Sequence, residues 1–382
     1  MSKFFLAACL LGFVLGAGGC GGGQNGASDT IVLGHLASMT GDTATFGTSC
    51  DEGLRLALEQ INADGGVLGK QVVVITEDDR SVTSEARTAA NKLITRDQVV
   101  ALIGEIASSR SIAAAPVAQV AQIPMLSPGS TNPKVTEEGD YIFRSCFIDP
   151  FQGTAMATFA MENLGLRRFA ILYANNSDYS VGLRDFFKEA VLANGGEIVA
   201  EESYAEKSDK DFKAQLTKIK ETNPEAIYAC GYYTEAGLIA RQARELGITV
   251  PLLGGDGWDS DVTVQSGGQA VEGAYFTNHY APDQDRPEVQ KFVVDYKARY
   301  NGKVPDAMAI LGYDAMRLMA DAIERAGSTD GAAIRNALAA TQGFPGASGT
   351  ITMDEHRNAN KPAVVVQIRG GKFEYVTEVA PK

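Results

Sequence analysis

The chain has 382 residues, with 34 Lys and Arg against 47 Asp and Glu for a formal net charge of −13, and 45% of its residues are hydrophobic. That is length for about two ordinary domains with real cores, and the composition excludes a disordered tail and a multi-span membrane protein. The acidic balance argues against a nucleic-acid partner, because no excess of Lys and Arg is there to displace counterions, and three His with one Trp leave little material for zinc-dependent or His-dependent chemistry.

Met1 to Cys20 comes first and has the pattern of a signal segment. Lys3 supplies a positive start, Phe4 to Leu15 an apolar stretch too short to span a bilayer, and Ala17-Gly18-Gly19 a run of small residues. The run ends on Cys20 and a Gly/Ser tether at 20–28. That order resembles a bacterial lipoprotein signal, which implies a lipidated Cys20 anchoring the protein to a membrane from the extracytoplasmic side. Cys9 falls in the signal, and Cys50, Cys146 and Cys230 can form at most one disulfide. Buried free thiols are expected for them.

From Thr30 onward, short β-branched runs alternate with amphipathic helical stretches. Ile31 to Leu33, Gln71 to Thr76, Val99 to Ile103 and Pro124 to Leu126 read as strands, with helices over Thr48 to Asn62, Ser84 to Arg96 and Ser111 to Ala121. The pattern then restarts. Helices over Phe151 to Leu164, Val181 to Ala193, Lys210 to Glu221 and Glu235 to Leu246 alternate with strands at Phe169 to Tyr173, Glu197 to Val199, Ala226 to Ala229 and Leu252-Leu253. Three late helices (Pro287 to Tyr300, Asp306 to Arg325, Asp330 to Ala340) precede strands at Thr350 to Met353, Ala363 to Ile368 and Phe373 to Val376. This βα order demands parallel sheets with helices on both faces. Two series plus late elements predict two α/β lobes, 29–148 with 280–348 and 149–279 with 349–382, crossed several times to make a hinged ligand clamp.

Enzyme signatures are absent from the sequence: no G-x-S-x-G, H-E-x-x-H or C-x-x-C occurs. Gly65 to Lys70 has the glycines of a phosphate loop but is one residue short and precedes a strand, so it reads as a turn. Asp256 to Asp261 is rich in oxygens, yet the twelfth position is Gly267 where a calcium loop needs Glu. No metal and no cofactor is expected, and the protein is expected not to be an enzyme.

Three polar clusters follow strands. Ser108 and Ser109 open a helix after Ile103-Gly104, where backbone N–H groups and hydroxyls could cradle a carboxylate. Ser127 to Pro133 offers a bare Gly129 carbonyl and the Thr131 hydroxyl. Gly254 to Trp258 offers Asp256 from the second series, in a loop with little shielding. Acceptors for an ammonium and donors for a carboxylate are the complement of a free α-amino acid. Phe46, Tyr179, Tyr232 and Tyr313 lie beside similar junctions and could wall a side-chain pocket.

On these residues, with Gly41 and Phe46-Gly47, Glu59 to Gly66, Asp78-Asp79, Ser127-Pro128, Tyr228 to Tyr232 and Arg241 to Arg244, the chain resembles the leucine/isoleucine/valine-binding type of periplasmic substrate-binding protein. The resemblance runs from Ile31 to about Val379. It implies a type I binding-protein fold, two doubly wound lobes joined by three crossings, in an amino-acid receptor of an ABC importer that hands its cargo to a permease and ATPase complex. It places the ligand carboxylate on Ser108 and the Thr131 backbone, and the ammonium on the Gly129 carbonyl, the Thr131 hydroxyl and Asp256. The side chain falls among Phe46, Ile106, Ala107, Tyr179, Tyr232 and Tyr313. Asp256 stands where the family more often has Glu, Phe46 where Tyr is common, and Glu105, Arg110 and Trp258 bring further groups close to the pocket. A monomer is implied. A sensory protein of the same fold, or a receptor for amides or aromatic acids, is the alternative.

Overall fold

A computed structural model describes residues 30–380; the signal segment, Cys20 and its tether lie outside the described residues. The chain opens with β1 (Thr30–Ala37), α1 (Ala44–Ala63), β2 (Gln71–Asp78), α2 (Thr83–Thr95), β3 (Leu102–Gly104), α3 (Ser108–Ala121), β4 (Met125–Ser127), a single turn α4 (Lys134–Glu137) and β5 (Ile142–Arg144). These five strands form one parallel sheet in the order β2-β1-β3-β4-β5, with Thr30 to Ala37 paired in unbroken register to Gln71 to Asp78. Every connection carries the chain over a sheet face, as parallel pairing requires.

A second βα series follows: α5 (Asp149–Thr158), which continues into a π turn over Phe159–Asn163, β6 (Arg168–Ala174), α6 (Asp178–Ala193), β7 (Glu197–Tyr204), α7 (Lys213–Glu221), β8 (Ala226–Cys230), α8 (Tyr233–Glu245), β9 (Leu252–Gly254), α9 (Asp261–Gly267) and β10 (Tyr275–Asn278). The chain then returns to the first sheet with α10 (Pro287–Arg299), α11 (Ala307–Ala326) and α12 (Gly331–Ala339), turns through a small hairpin of β11 (Phe344–Gly346) and β12 (Gly349–Ile351), and crosses once more to β13 (Ala363–Arg369) and β14 (Lys372–Val379). The second sheet runs β14-β13-β10-β9-β8-β6-β7, parallel except for β13 and β14, which add antiparallel to β10 and to each other. Three passages of chain join the two sheets, after β5, after β10 and after β12.

Packing explains why the late helices belong to the first sheet. Buried α1 positions Cys50, Leu54 and Ala57 recur at helical spacing, and α11 is buried along almost its whole length. The two helices meet through glycine: a Cβ on Gly53 would sit 1.7 Å from the Ala309 carbonyl oxygen, and one on Gly312 would sit 2.2 Å from the Cys50 carbonyl oxygen. Each buried Leu or Ile in this seam contributes about 1.5–3 kcal/mol.

The structure differs from expectation in particular places. Helix α3 starts at Ser108, three residues before the predicted Ser111, directly after the extended Ala107. Strands β5, β10 and β11 were not predicted. Gly65 to Lys70 is indeed a turn, closed by a bridge between Val67 and Lys70. Cys50, Cys146 and Cys230 are buried and free. Among the described residues, no helix is long and apolar enough to cross a membrane, and no group of His, Cys, Asp and Glu is placed to hold a metal ion.

Candidate functional site

The carboxyl ends of the parallel strands from both sheets face one another across a narrow gap. Open α/β sheets bind ligands at this edge, where loops leave adjacent strands in opposite directions. The gap is lined from the first side by Phe46, Ile106, Ser108, Gly129, Thr131 and Met308, and from the second by Tyr179, Tyr232, Asp256 and Gly257. Its walls touch. Thr45 Oγ1 lies 3.2 Å from Ser260 Oγ, the Tyr233 hydroxyl donates to the Asp42 carbonyl at 2.8 Å, and Asp178 N–H donates to Ser109 Oγ at 3.1 Å. Lys207 Nζ donates to the Ser81 carbonyl. This is a closed clamp.

On the first side, hydroxyls fix the loops after β3 and β4 to one another. Ser127 Oγ donates to the Glu105 carbonyl at 2.6 Å and accepts from Ser130 N–H at 3.0 Å, while Ser111 Oγ and Ser130 Oγ are 2.7 Å apart. Ser108 is the first residue of α3, at the positive end of a 14-residue helix, and its Oγ accepts from Asn132 N–H at 3.2 Å. Thr131 Oγ1 is buried and has no hydrogen-bond partner. Glu105 and Arg110 do come close, but behind this wall: Arg110 Nε lies 3.1 Å from Glu105 Oε2 and 3.7 Å from Asp79 Oδ2, and Ser38 Oγ donates to both carboxylates. Burial, reinforced by Glu105, pushes Asp79 up to about 7.

On the second side the centre is Asp256, 3% exposed. Its N–H donates to Gln152 Oε1 at 2.7 Å, Oδ1 accepts from the Tyr179 hydroxyl at 2.7 Å, and Oδ2 lies 2.9 Å from His279 Nε2. His279 stacks on Phe147 with ring centres 3.9 Å apart. Burial lowers the His279 pKa despite the opposing pull of Asp256, so the ring is neutral at pH 7 and donates Nε2–H without cancelling the carboxylate charge. Burial likewise raises the Tyr179 phenol, which keeps its proton and donates. Asp256 is thereby oriented by two neutral donors, and neither brings a positive charge to compete with a cation in the gap. Tyr179 and Tyr232 stack at 5.0 Å, and Phe46 meets Tyr232 edge-on at 5.8 Å, giving an aromatic end to the gap.

A gap between the strand ends of two parallel sheets, three crossings behind it, and a buried carboxylate facing a helix start are what a ligand clamp requires. Residues 30–372 match the family described as periplasmic binding protein. The chain belongs to that family. Leu/Ile/Val-binding protein homolog 3 from Brucella melitensis is 32% identical over 337 residues, 87% of this chain and 89% of the relative. Among solved structures, the leucine binding protein LivK from Thermotoga maritima superposes with a TM-score of 0.88 at 42% identity, covering 92% of this chain and 99% of the other. The branched-chain amino acid transporter substrate binding protein LivJ from Streptococcus pneumoniae, in complex with isoleucine, gives 0.87 at 35% identity, covering 92% and 100%.

For this binding protein, the structure brings Phe46, Ile106, Ser108, Gly129, Thr131, Tyr179, Tyr232 and Asp256 to one gap. Ala107 is buried between Ile106 and Ser108, ahead of the helix, and does not line the gap. Tyr313 is a correction. Its hydroxyl donates to Gln60 Oε1 at 2.7 Å and its ring packs 5.1 Å from Phe292, inside the first core. The reason is helical phase: Met308 on α11 reaches the gap, and Tyr313, five residues on, points roughly 140° away at 3.6 residues per turn. Trp258 is a second correction. Its ring lies beneath Gly254, its Nε1–H donates to the Ala229 carbonyl at 3.1 Å, and it packs toward Phe276 in the core of the second sheet. Met308, His279 and Gln152 were missed, since each is an isolated residue outside any motif.

Proposed function

We propose that this protein is the extracytoplasmic solute-binding component of an ABC importer, capturing a free amino acid of the branched-chain type and delivering it to the permease. The observation that carries the reading is Asp256: a buried carboxylate, held by neutral donors and facing the unpartnered Thr131 hydroxyl, with the α3 start in the same gap. A buried charge needs an opposing charge, and an ammonium on Asp256, Thr131 Oγ1 and the Gly129 carbonyl supplies it. The carboxylate of the same molecule sits on Ser108 and the Thr131 N–H, and its side chain among Phe46, Ile106, Met308, Tyr179 and Tyr232. The lobes are taken as 29–148 with 280–348 and 149–279 with 349–382, except that the last cut falls inside the β11–β12 hairpin, whose Ile351 packs in the first core, so the third crossing comes after β12. Cys20 carries the lipid anchor, and the receptor works as a monomer.

The test is a thermal-shift screen of the purified protein against the amino acids, short amides and aromatic acids. A ligand that binds only the folded state stabilises it by RT ln(1 + [L]/Kd), about 2.7 kcal/mol at a hundredfold excess over Kd. Leucine, isoleucine or valine should give the largest shift. A carboxylic acid without an amine outperforming every amino acid would refute the reading and favour the aromatic-acid receptor.

A further inference from the structure

Asp149 is fully buried and is the first residue of α5, at the end of the first crossing between the sheets. Its N–H donates to the Thr131 carbonyl at 2.9 Å, which ties it to the loop that lines the gap. Oδ1 accepts from Gln152 Nε2 at 3.3 Å; Oδ2 has no hydrogen-bond partner. Thr131 Oγ1 has none either. Neither oxygen makes a hydrogen bond of ordinary geometry, yet the Thr131 hydroxyl is close enough to act on the Asp149 carboxyl, and a buried polar atom left poorly paired costs about 1–3 kcal/mol. An occupant that engages one of them would remove part of that cost.

The surroundings decide what the carboxyl group does. Burial pushes Asp149 up to about 8; the Thr131 hydroxyl is the neighbour that most favours its ionised form, Asp256 repels it and Arg144 attracts it. The Arg144 guanidinium is engaged by the Ser130 and Asn132 carbonyls. His279 is lowered by burial, and the Tyr179 and Tyr228 phenols and the Cys146 and Cys230 thiols are raised by it, so none of these supplies charge at neutral pH. Lys361, buried on the third crossing, is directed to Ser348 Oγ. Asp149 therefore keeps its proton at pH 7 until a cation comes beside it.

We propose that Asp149 is a positioning residue for ammonium recognition: it draws the Thr131 hydroxyl hydrogen toward its own carboxylate, so that a Thr131 lone pair faces the ligand, and it releases its proton when the ammonium enters. The proposal rests on the amino-acid reading above. The ligand enters as an intact ammonium, the Asp149 O–H bond breaks, and the proton passes to solvent; no other bond changes.

Calorimetric titration with leucine and isoleucine, in buffers of different ionisation enthalpy at pH 5.5 and 7.5, reads the proton directly. The wild type should release a fraction of one proton, and its affinity should rise at least about fivefold between the two pH values. Asp149→Asn should abolish both the release and the pH slope, with affinity about tenfold weaker. Thr131→Val should weaken binding similarly, and the double variant little further, because the two residues act as one unit. If Asp149→Asn does not fold, the wild-type proton count decides. No proton released and a flat pH profile would overturn the proposal, as would an Asn variant that binds like wild type. A wild type that binds no amino acid at all would overturn the functional reading and this proposal with it, whereas binding without proton release overturns this proposal alone.

Discussion

Asp256 and Ser108 do unequal work at the two ends of one small ligand. Removing the Asp256 charge while keeping its shape leaves an ammonium in a closed gap without its counter-charge, so Asp256→Asn should cost about 2–5 kcal/mol of amino-acid affinity. Ser108→Ala removes one hydroxyl while the backbone N–H groups of the α3 start stay in place, so it should cost less, about 1–3 kcal/mol. Titration of both variants with the ligand found in the screen gives the order. An Asp256→Asn variant at full affinity, or one that loses less than Ser108→Ala, would mean that the ammonium is recognised elsewhere. The neutral His279 contributes by holding Asp256 Oδ2 in place, at 2.9 Å, without competing for its charge.

Elements show why some of this was legible beforehand and some was not. Strands β1 and β2 carry β-branched runs and were readable; β10, Tyr-Phe-Thr-Asn, ends in polar residues and has no such pattern. That omission hid His279. Strands β9 and β10 pair Gly254 with Phe276, so Asp256 and His279 leave adjacent strand ends side by side, although 23 residues separate them. Only a reader who had placed β10 could have joined them. The polar loops after β3, β4 and β9 were legible because Ser, Gly and Asp directly after a strand are conspicuous. Tyr313 was misplaced because proximity to a helix start says nothing about which way round the helix a side chain faces. The seam between α1 and α11 gives a test at this scale. Gly53→Ala would gain about 1 kcal/mol of helix propensity, but its methyl would collide with the Ala309 carbonyl, and overpacking costs typically about 1–3 kcal/mol or more. Urea denaturation should show a net loss. A variant as stable as wild type would mean that α11 does not seat against α1 as described.

For the whole molecule, buried carboxylates set the pH response. Burial raises Asp79 and Asp259 to about 7, Asp306 to about 6 and Asp149 to about 8. Asp259 accepts from Ala307 N–H at 2.6 Å, joining the loop after β9 to the start of α11. Each of these groups binds its proton more tightly folded than unfolded. The cost of ionising them is absent below the unfolded value near 4, grows as pH rises, and is complete above each folded value. Asp51 has the opposite sign: burial works against it, but hydrogen bonds from His35 and Arg55 hold it well below the usual range. Its contribution is present above about 4 and is lost as pH falls through its lowered value. His279, lowered by burial, works the other way below its unfolded value near 6.5, but it is one group against four, so stability without ligand should fall overall from about pH 5 to pH 8, by up to about 1.4 kcal/mol per pH unit for each extra proton held by the folded state. Thermal melts across that range that stay level or rise would contradict it.

The one tryptophan of the chain, Trp258, is 0% exposed and lies wholly within the core of the second sheet. Its emission is therefore an intrinsic label for that half alone. An indole shielded from water fluoresces in the blue and is out of reach of iodide; exposure shifts it to the red. Circular dichroism at 222 nm sums the helices of both halves. Recorded together through a denaturant ramp, the two signals ask whether the half built on β6 to β10 melts with the half built on β1 to β5, since coincident transitions mark a single cooperative unit. With three chain crossings and a closed gap joining the halves, the curves should superimpose, and a red shift that precedes the loss of ellipticity would show the second half unfolding alone.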